Sequence, residues 1–585
     1  MSAPDRKWWK DGVVYQIYPA SFKDSNGDGM GDLPGIISKL DYIKDLGIDT
    51  IWVCPMYDSP QIDMGYDISD YENVYPQFGT LQDMDTLISE THARGMRIIL
   101  DLVINHTSDQ HAWFQESRSS KDNPKRDWYI WQPATYDSSG TRQPPNNWRS
   151  NFGGSVWTWD EATEEYFLHL FTPEQPDLNW ESSACREAIY DSAMRFWLAK
   201  GVDGFRVDTV NMYSKPDLSD APITDETAEF QFAGLQYCNG PSMHSYLNEI
   251  NAVLSEYGKD KMTVGELPNT PDPAVILSYV SAAANELSMV FQFDVVDVGM
   301  GPHKFQTEPF DFTLPDFKRA VRRTQEILGA GTGDAWTTAF LENHDQARSI
   351  SRFASDAPEH RVASGKMLAL MLCALSGTLF VYQGQEIGMV NAPMEWPMEE
   401  YKDVDSGNYY AMVDRLSGGD PEKLAEAKRA IQYLGREHAR LPISWDGGKD
   451  AGFSDVKEGE VGGKTWMRVN DDYETCNVAK QLGDPKSVLG YWKRMIQLRK
   501  NFLELLVYGA FEVVDEADEK TFCFTKTWGE QKAVVLCNFS AETVPFKVDE
   551  KSGLDFDRME WLDSTVDGAK GAALAPYEGR IYLVE

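Results

Sequence analysis

Short β-rich runs alternate with amphipathic stretches along most of this chain, and that alternation limits the fold more than any other feature. Val13 to Tyr18 (VVYQIY) is the first strand candidate. A helical stretch follows from Leu33 to Leu46, with Ile36, Leu40, Ile43 and Leu46 on one stripe, and Gly47 stops it. Thr50 to Pro55 is the second strand. Thr80 and Asp83 are spaced as a capping box for the next helix, which ends near Gly95. Arg97 to Val103 is the third strand, and Gly204–Val210, Met262–Leu267, Met289–Asp294, Trp336–Glu342 and Thr378–Gln383 are the fourth to eighth. Eight such strands with intervening helices predict an α/β fold, a (β/α)8 TIM barrel. Two polar stretches break the rhythm, at about 107–175 and about 387–460. The first is long enough to form a small subdomain. From about 512 the pattern turns to antiparallel β, with TFCFTKTW and KAVVLCNF flanking Gly529-Glu530-Gln531 as a hairpin. The division read from sequence is barrel 1–106, inserted subdomain 107–175, barrel 176–511 and C-terminal β domain 512–585. No solenoid repeat is present.

Composition narrows the function. Lys and Arg number 55 against 92 Asp and Glu, a formal net charge of −37 that argues against phosphate backbones and anionic membrane surfaces as partners. Aromatic residues at 12% argue against disorder and suit a carbohydrate cleft. The seven cysteines, 54, 185, 238, 373, 476, 523 and 537, form no CxxC pair and no zinc spacing, so free thiols in a reducing compartment are expected. MSAPDRKWWKDG has no apolar core of a signal peptide, and no run of about 18 apolar residues occurs. A cytoplasmic protein is the expectation, with monomer or homo-oligomer left open.

In a barrel, functional side chains gather at the C-terminal ends of the strands. Those ends carry Asp101 with Asn105-His106, Arg206 with Asp208, Glu266, and Glu342-Asn343-His344-Asp345. Three acids, Asp208, Glu266 and Asp345, therefore converge on one rim. No Ser-His-Asp order, Cys-His pair or P-loop competes with them, and Gly27-Asp-Gly-Met-Gly31 lacks the third glycine of a dinucleotide loop. Paired carboxylates suit a retaining glycosidase, which needs a nucleophile and a protonated acid about 5–5.5 Å apart. Arg206 and Asp208 face one side of their strand, so Arg206 is expected to lower the pKa of Asp208. Partial burial and nearby negative charge are expected to raise that of Glu266. Asp24-Ser-Asn26-Gly-Asp28-Gly-Met30-Gly-Asp32 places oxygen ligands on a Gly-rich turn, which suits Ca²⁺ or Mg²⁺. Twelve residues from Asp24 stands Gly35, not Glu, so the loop is no EF-hand.

DLVINH at 101–106, GFRVDTV at 204–210, VGEL at 264–267, ENHD at 342–345 and QPDLN at 175–179 together resemble glycoside hydrolase family 13, the α-amylase family. The likeness is greatest to its α-glucosidase, maltase and oligo-1,6-glucosidase branch. The resemblance implies Asp208 as nucleophile, Glu266 as acid and base, and Asp345 as the group that holds two sugar hydroxyls. It implies His106 and His344 on hydroxyls of the same glucose, with Asp67 and Arg436 at its non-reducing end. Tyr66 and Phe171 would flank the ring, with Gln175 beside them. It also implies a structural Ca²⁺, held by Asp24, Asn26, Asp28, the Met30 carbonyl and Asp32, and no cofactor for catalysis. Thr209, after the nucleophile, implies a preference for α-1,4 linkages, hence maltose, malto-oligosaccharides and sometimes sucrose. The alternatives are an oligo-1,6-glucosidase, a sucrose isomerase or transglucosylase on the same scaffold, and a non-catalytic glucosidase-like subunit.

Overall fold

The computed structural model describes residues 6–301, 304–329, 334–454, 464–545, 559–566 and 573–584. Eight parallel strands form its centre: β1 (Val13–Ile17), β2 (Thr50–Val53), β3 (Arg97–Leu102), β4 (Gly204–Val207), β5 (Met262–Leu267), β6 (Met289–Gln292), β7 (Thr338–Ala339) and β8 (Thr378–Tyr382). They pair in the order β6-β5-β4-β3-β2-β1-β8-β7. The two ends meet through a parallel bridge between Val290 and Thr337, where Gln292 Nε2 donates to Thr337 Oγ1 at 2.6 Å. The sheet is thus a closed barrel, as the sequence predicts. Apolar runs form these strands because both faces are covered, by barrel interior on one side and helices on the other.

Three local expectations change. The seventh strand is two residues long rather than seven. Its predicted end, Glu342, is drawn out of the ladder by Arg348 Nη1 at 3.0 Å and the Ser349 N–H at 2.8 Å. The first helical stretch divides into Leu33–Ser38 and Leu40–Leu46, because Lys39 leaves helical geometry with ψ at 4°. Ile36, Leu40, Ile43 and Leu46 stay buried across the break. The C-terminal hairpin closes on two residues rather than three, since Gln531 already pairs with Trp528 and Gly529 takes the positive φ of +61°. The Thr80–Asp83 capping box forms as expected.

The tail is a five-stranded antiparallel sheet built from Ala510–Val513, Thr521–Trp528, Gln531–Asn538, Gly579–Val584 and Met559–Ser564, in that spatial order. Parts of the expected C-terminal domain and of the insertion after β8 lie outside the described residues. All seven cysteines are buried and free. Among the described residues no helix is long and apolar enough to cross a membrane.

The insertion after β3 carries its own three-stranded sheet, Trp131–Gln132, Glu165–Leu168 and Trp157–Asp160. Its core is not self-contained. Trp148, Val156, Tyr166 and Leu168 pack with Met212, Ala221, Ala233 and Tyr237, which follow β4. Trp148 Nε1 donates to the Ser219 carbonyl at 2.8 Å, and the Gln231 N–H donates to Asn147 at 2.7 Å. A second polar extension therefore completes the first. Replacing the buried Trp148 by Ala is expected to cost about 3–5 kcal/mol through lost burial and the cavity left behind. Urea denaturation should show the loss, and limited proteolysis should cut first in the insertion.

Candidate active site

At the C-terminal end of the barrel one buried cation organises three acids. Arg206 is 1% exposed. Its Nη1 donates to Asp101 Oδ1 at 2.7 Å and to Asp208 Oδ1, and its Nη2 reaches Glu266 Oε2 at 2.9 Å. Register explains the arrangement: Arg206 on β4 lies opposite Asp101 on β3, and Glu266 stands two residues past the β5 residue paired with Arg206. Trp52 Nε1 holds the other Asp101 oxygen at 2.6 Å. Thr209 adopts φ of +40°, an uncommon conformation for a β-branched residue. That bend points its N–H at Glu266 Oε2 (3.1 Å), while its hydroxyl lies 3.3 Å from Asp208 Oδ2.

The electrostatics follow from this sharing. Burial pushes Glu266 up to about 7, helped by the charges of Asp208 and Asp345 and opposed by Arg206. Burial also raises Asp208, and Asp101 adds to the rise against the pull of Arg206. This corrects the expectation of a depressed nucleophile. One guanidinium divided among three carboxylates does not offset the desolvation of each. Asp345 goes the other way. Its burial is outweighed by His344, Arg436 and Arg440, which hold it well below the usual carboxylate range. Burial lowers His106 to about 4, so it is neutral.

The cavity over this floor encloses about 650 Å³ with its mouth included. Asp208, Glu266, Asp345, Tyr66, His106, Phe171, Thr209 and Arg436, all predicted, line it. On that lining Arg436 donates to Asp345 Oδ1 at 3.0 Å and to Asp63 Oδ1 at 3.1 Å. Gln175 and His344, fully buried, stand behind the wall. Gln175 Nε2 donates to Asp63 Oδ2 at 3.1 Å, and the His344 ring stacks on Tyr66 at 5.0 Å. Asp67 is the exception. It is fully buried, and its carboxylate accepts from the Ser59 hydroxyl and from the N–H groups of Ile62 and Asp63. It shapes the turn that presents Asp63, and of the two carboxylates Asp63 is the one on the cavity lining. Sequence reading also missed Asn151, Phe152, Met212, Pro268, Asn269 and Phe293 on the cavity wall. Pro268 and Asn269 stand just past β5, where strand ends alone pointed; Phe152 sits in an irregular loop that gives no such signal.

The Asp24 loop is tied by successive side-chain turns. The Asp24 carboxylate accepts from the N–H groups of Asn26, Gly27 and Gly29, Asn26 Oδ1 from Asp28, and Asp28 Oδ1 from Met30. Asp32 faces the other way, accepting from Ser25 and capping Gly35 N–H at 2.6 Å. Asp24, Asn26 and Asp28 carry hard oxygens of the type that divalent cations take, and these oxygens, like those of Asp32, accept from backbone N–H groups here. Among the described residues no cluster of three His, Cys, Asp or Glu side chains is placed to hold a metal.

This chain has counterparts among known proteins. The α-amylase catalytic-domain family matches residues 16–509. The chain belongs to the α-amylase family. An α-glucosidase of Candida albicans is 52% identical over 99% of this chain and all of its own length. An oligo-1,6-glucosidase of Saccharomyces cerevisiae is 46% identical over 99% of this chain and 98% of its own. Among solved structures, an isomaltulose synthase from Protaminobacter rubrum superposes with a TM-score of 0.89 at 36% identity, with all of each chain covered. The family expected from the five motifs is thereby borne out, and the α-amylase-family barrel supplies every strand-end acid named above.

The acid limb and the alkaline limb should separate. Glu266 must be protonated to act as an acid, so kcat/KM is expected to fall as pH rises through about 7. A pH–rate profile checks this, and Glu266→Gln should abolish the dependence together with most of the activity.

Proposed function

We propose that this α-amylase-family chain is a retaining exo-α-glucosidase that releases glucose from the non-reducing end of short α-glucosides. The observation that carries the reading is the pairing of Arg206 with both Asp208 and Glu266 in a cavity that the ion-paired Arg436, Asp63 and Asp345 also line. In this reading that second cluster meets the terminal sugar. Asp208 attacks the anomeric carbon while Glu266 gives its proton to the leaving oxygen, and the product is a glucosyl ester of Asp208. Glu266, now a carboxylate, then takes a proton from water as it attacks, which restores Asp208 with overall retention. Asp345 stays ionised beside the positively charged, oxocarbenium-like ring, where its charge is worth most.

Substrate preference is part of the proposal. Thr209, with its hydroxyl beside Asp208, supports α-1,4 linkages, so maltose and short malto-oligosaccharides head the list, with sucrose a further substrate. The competing reading is isomerisation of sucrose. Its support is the likeness to the isomaltulose synthase and to a trehalulose synthase variant solved with sucrose, 36% identical with a TM-score of 0.88. A cytoplasmic location is supported by seven buried, unpaired thiols.

Incubation with maltose, isomaltose and sucrose, followed by chromatography of products, distinguishes these readings. Maltose is expected to give glucose fastest, as the α-anomer by NMR, and Asp208→Asn should slow it by about 10⁴-fold or more. Failure to release glucose from any of the three overturns the reading, and conversion of sucrose to an isomer favours the alternative. For the Asp24 loop we propose a structural cation on Asp24, Asn26 and Asp28. Added Ca²⁺ should raise the melting temperature of EDTA-treated protein, and an unchanged value removes the cation from the account.

A further inference from the structure

His344 is held on every side. Tyr66 stacks on its ring at 5.0 Å and 4°, Tyr18 lies nearly parallel at 6.4 Å and 13°, and Trp52 meets it edge-on at 6.0 Å. Nε2 stands 3.0 Å from Asp345 Oδ2 without forming an aligned hydrogen bond to it. Nδ1 stands 2.8 Å from Gln16 Nε2. Gln16 projects from β1 and is 2% exposed. The same amide nitrogen lies 3.2 Å from Cys54 Sγ. A carboxamide nitrogen carries two hydrogens and no lone pair to offer. Both hydrogens have acceptors here, so Nδ1 of His344 must present its lone pair.

We infer that Gln16 is a positioning residue that keeps His344 the neutral, Nε2-protonated imidazole. Two things follow. The single N–H of His344 then lies on Nε2, the nitrogen 3.0 Å from Asp345 Oδ2, and a second proton is barred because Nδ1 faces a donor. The groups that face the ring would otherwise contend over it. Asp345 favours an imidazolium, Arg206 and Arg440 oppose one, and Tyr18, Tyr66 and Cys54 are neutral. Burial lowers the proton affinity of His344 in the same sense as Gln16 does. The consequence for rate rests on the glucosidase reading above. A glycosyl transition state carries positive charge, and a fixed imidazolium just behind the pocket wall repels it.

The test uses full-length protein labelled with ¹⁵N in histidine, with the His344→Asn spectrum identifying the His344 signals. Wild type is expected to show an unprotonated, pyridine-type Nδ1 and a protonated Nε2 at neutral pH. Gln16→Glu puts an acceptor at Nδ1 and should leave both ring nitrogens protonated at that pH. Gln16→Met, which offers neither, should titrate between the two. In kinetics on maltose, Gln16→Glu should lose about tenfold or more in kcat with KM within about twofold, and Gln16→Met should lose less. A wild-type Nδ1 that is protonated overturns the inference, as does a Gln16→Glu protein whose His344 stays neutral. If Gln16→Glu does not fold, Gln16→Met decides, and a His344 that titrates there as in wild type is fatal. The spectra need no turnover. The expected ring state in a protein inactive on every α-glucoside would uphold the inference about Gln16 and defeat the functional reading.

Discussion

The site depends on a charge imbalance: one guanidinium, Arg206, serves Asp101, Asp208 and Glu266 in a place from which water is excluded. Each buried carboxylate costs several kcal/mol to ionise there, and a single cation offsets only part of the total. Burial therefore raises all three acids, and Glu266 is pushed up to about 7. Asp101 does not reach the cavity lining, yet it matters because it competes for the same cation and fixes the guanidinium plane with Trp52 beneath. An acid and a nucleophile are thus differentiated by how one arginine is shared, with Thr209 adding an N–H to the Glu266 side and a hydroxyl to the Asp208 side.

A second, separate electrostatic unit borders the pocket. Arg436 and Arg440 both reach Asp345, and both reach Asp403. Two cations here face Asp345, Asp403 and Asp63, a ratio far more generous than at Arg206, and Asp345 is accordingly held ionised. The two units meet on the cavity wall without sharing a residue. This lets Glu266 be pushed up while Asp345 stays ionised.

The barrel was legible because parallel strands buried on both faces write themselves as apolar runs, and VGEL, GFRVDTV and DLVINH also end in polar side chains that only a strand end can place. The strand-end residues were found for that reason. Loop residues carry no periodicity, and there the reading faltered. Asp63 and Asp67 are four apart in one loop, and nothing in QIDMGYDISDY says which carboxylate turns inward. The structure separates them through Ser59 and the Ile62 and Asp63 N–H groups, which engage Asp67 alone. The raised Asp208 was missed for another reason. Adjacency on a strand shows that Arg206 and Asp208 can touch, but not that two further acids claim the same partner. The joint core of the insertion and the segment after β4 was likewise hidden, because Trp148 and Tyr237 are far apart in the chain.

The wall of the cavity has in part a different origin from its floor. Phe152 comes from the insertion after β3, Met212 from the segment after β4, and the Phe152 carbonyl is held by Asn408 Nδ2 at 3.0 Å from the segment after β8. None of these residues belongs to the barrel ladder that places the acids. Lengths of chain from after β3, β4 and β8 therefore shape or brace the cavity wall, while the ladder places the acids. The surroundings of the acids are thus built by parts of the chain that the strand register does not fix, so the cavity can be reshaped without shifting the carboxylates.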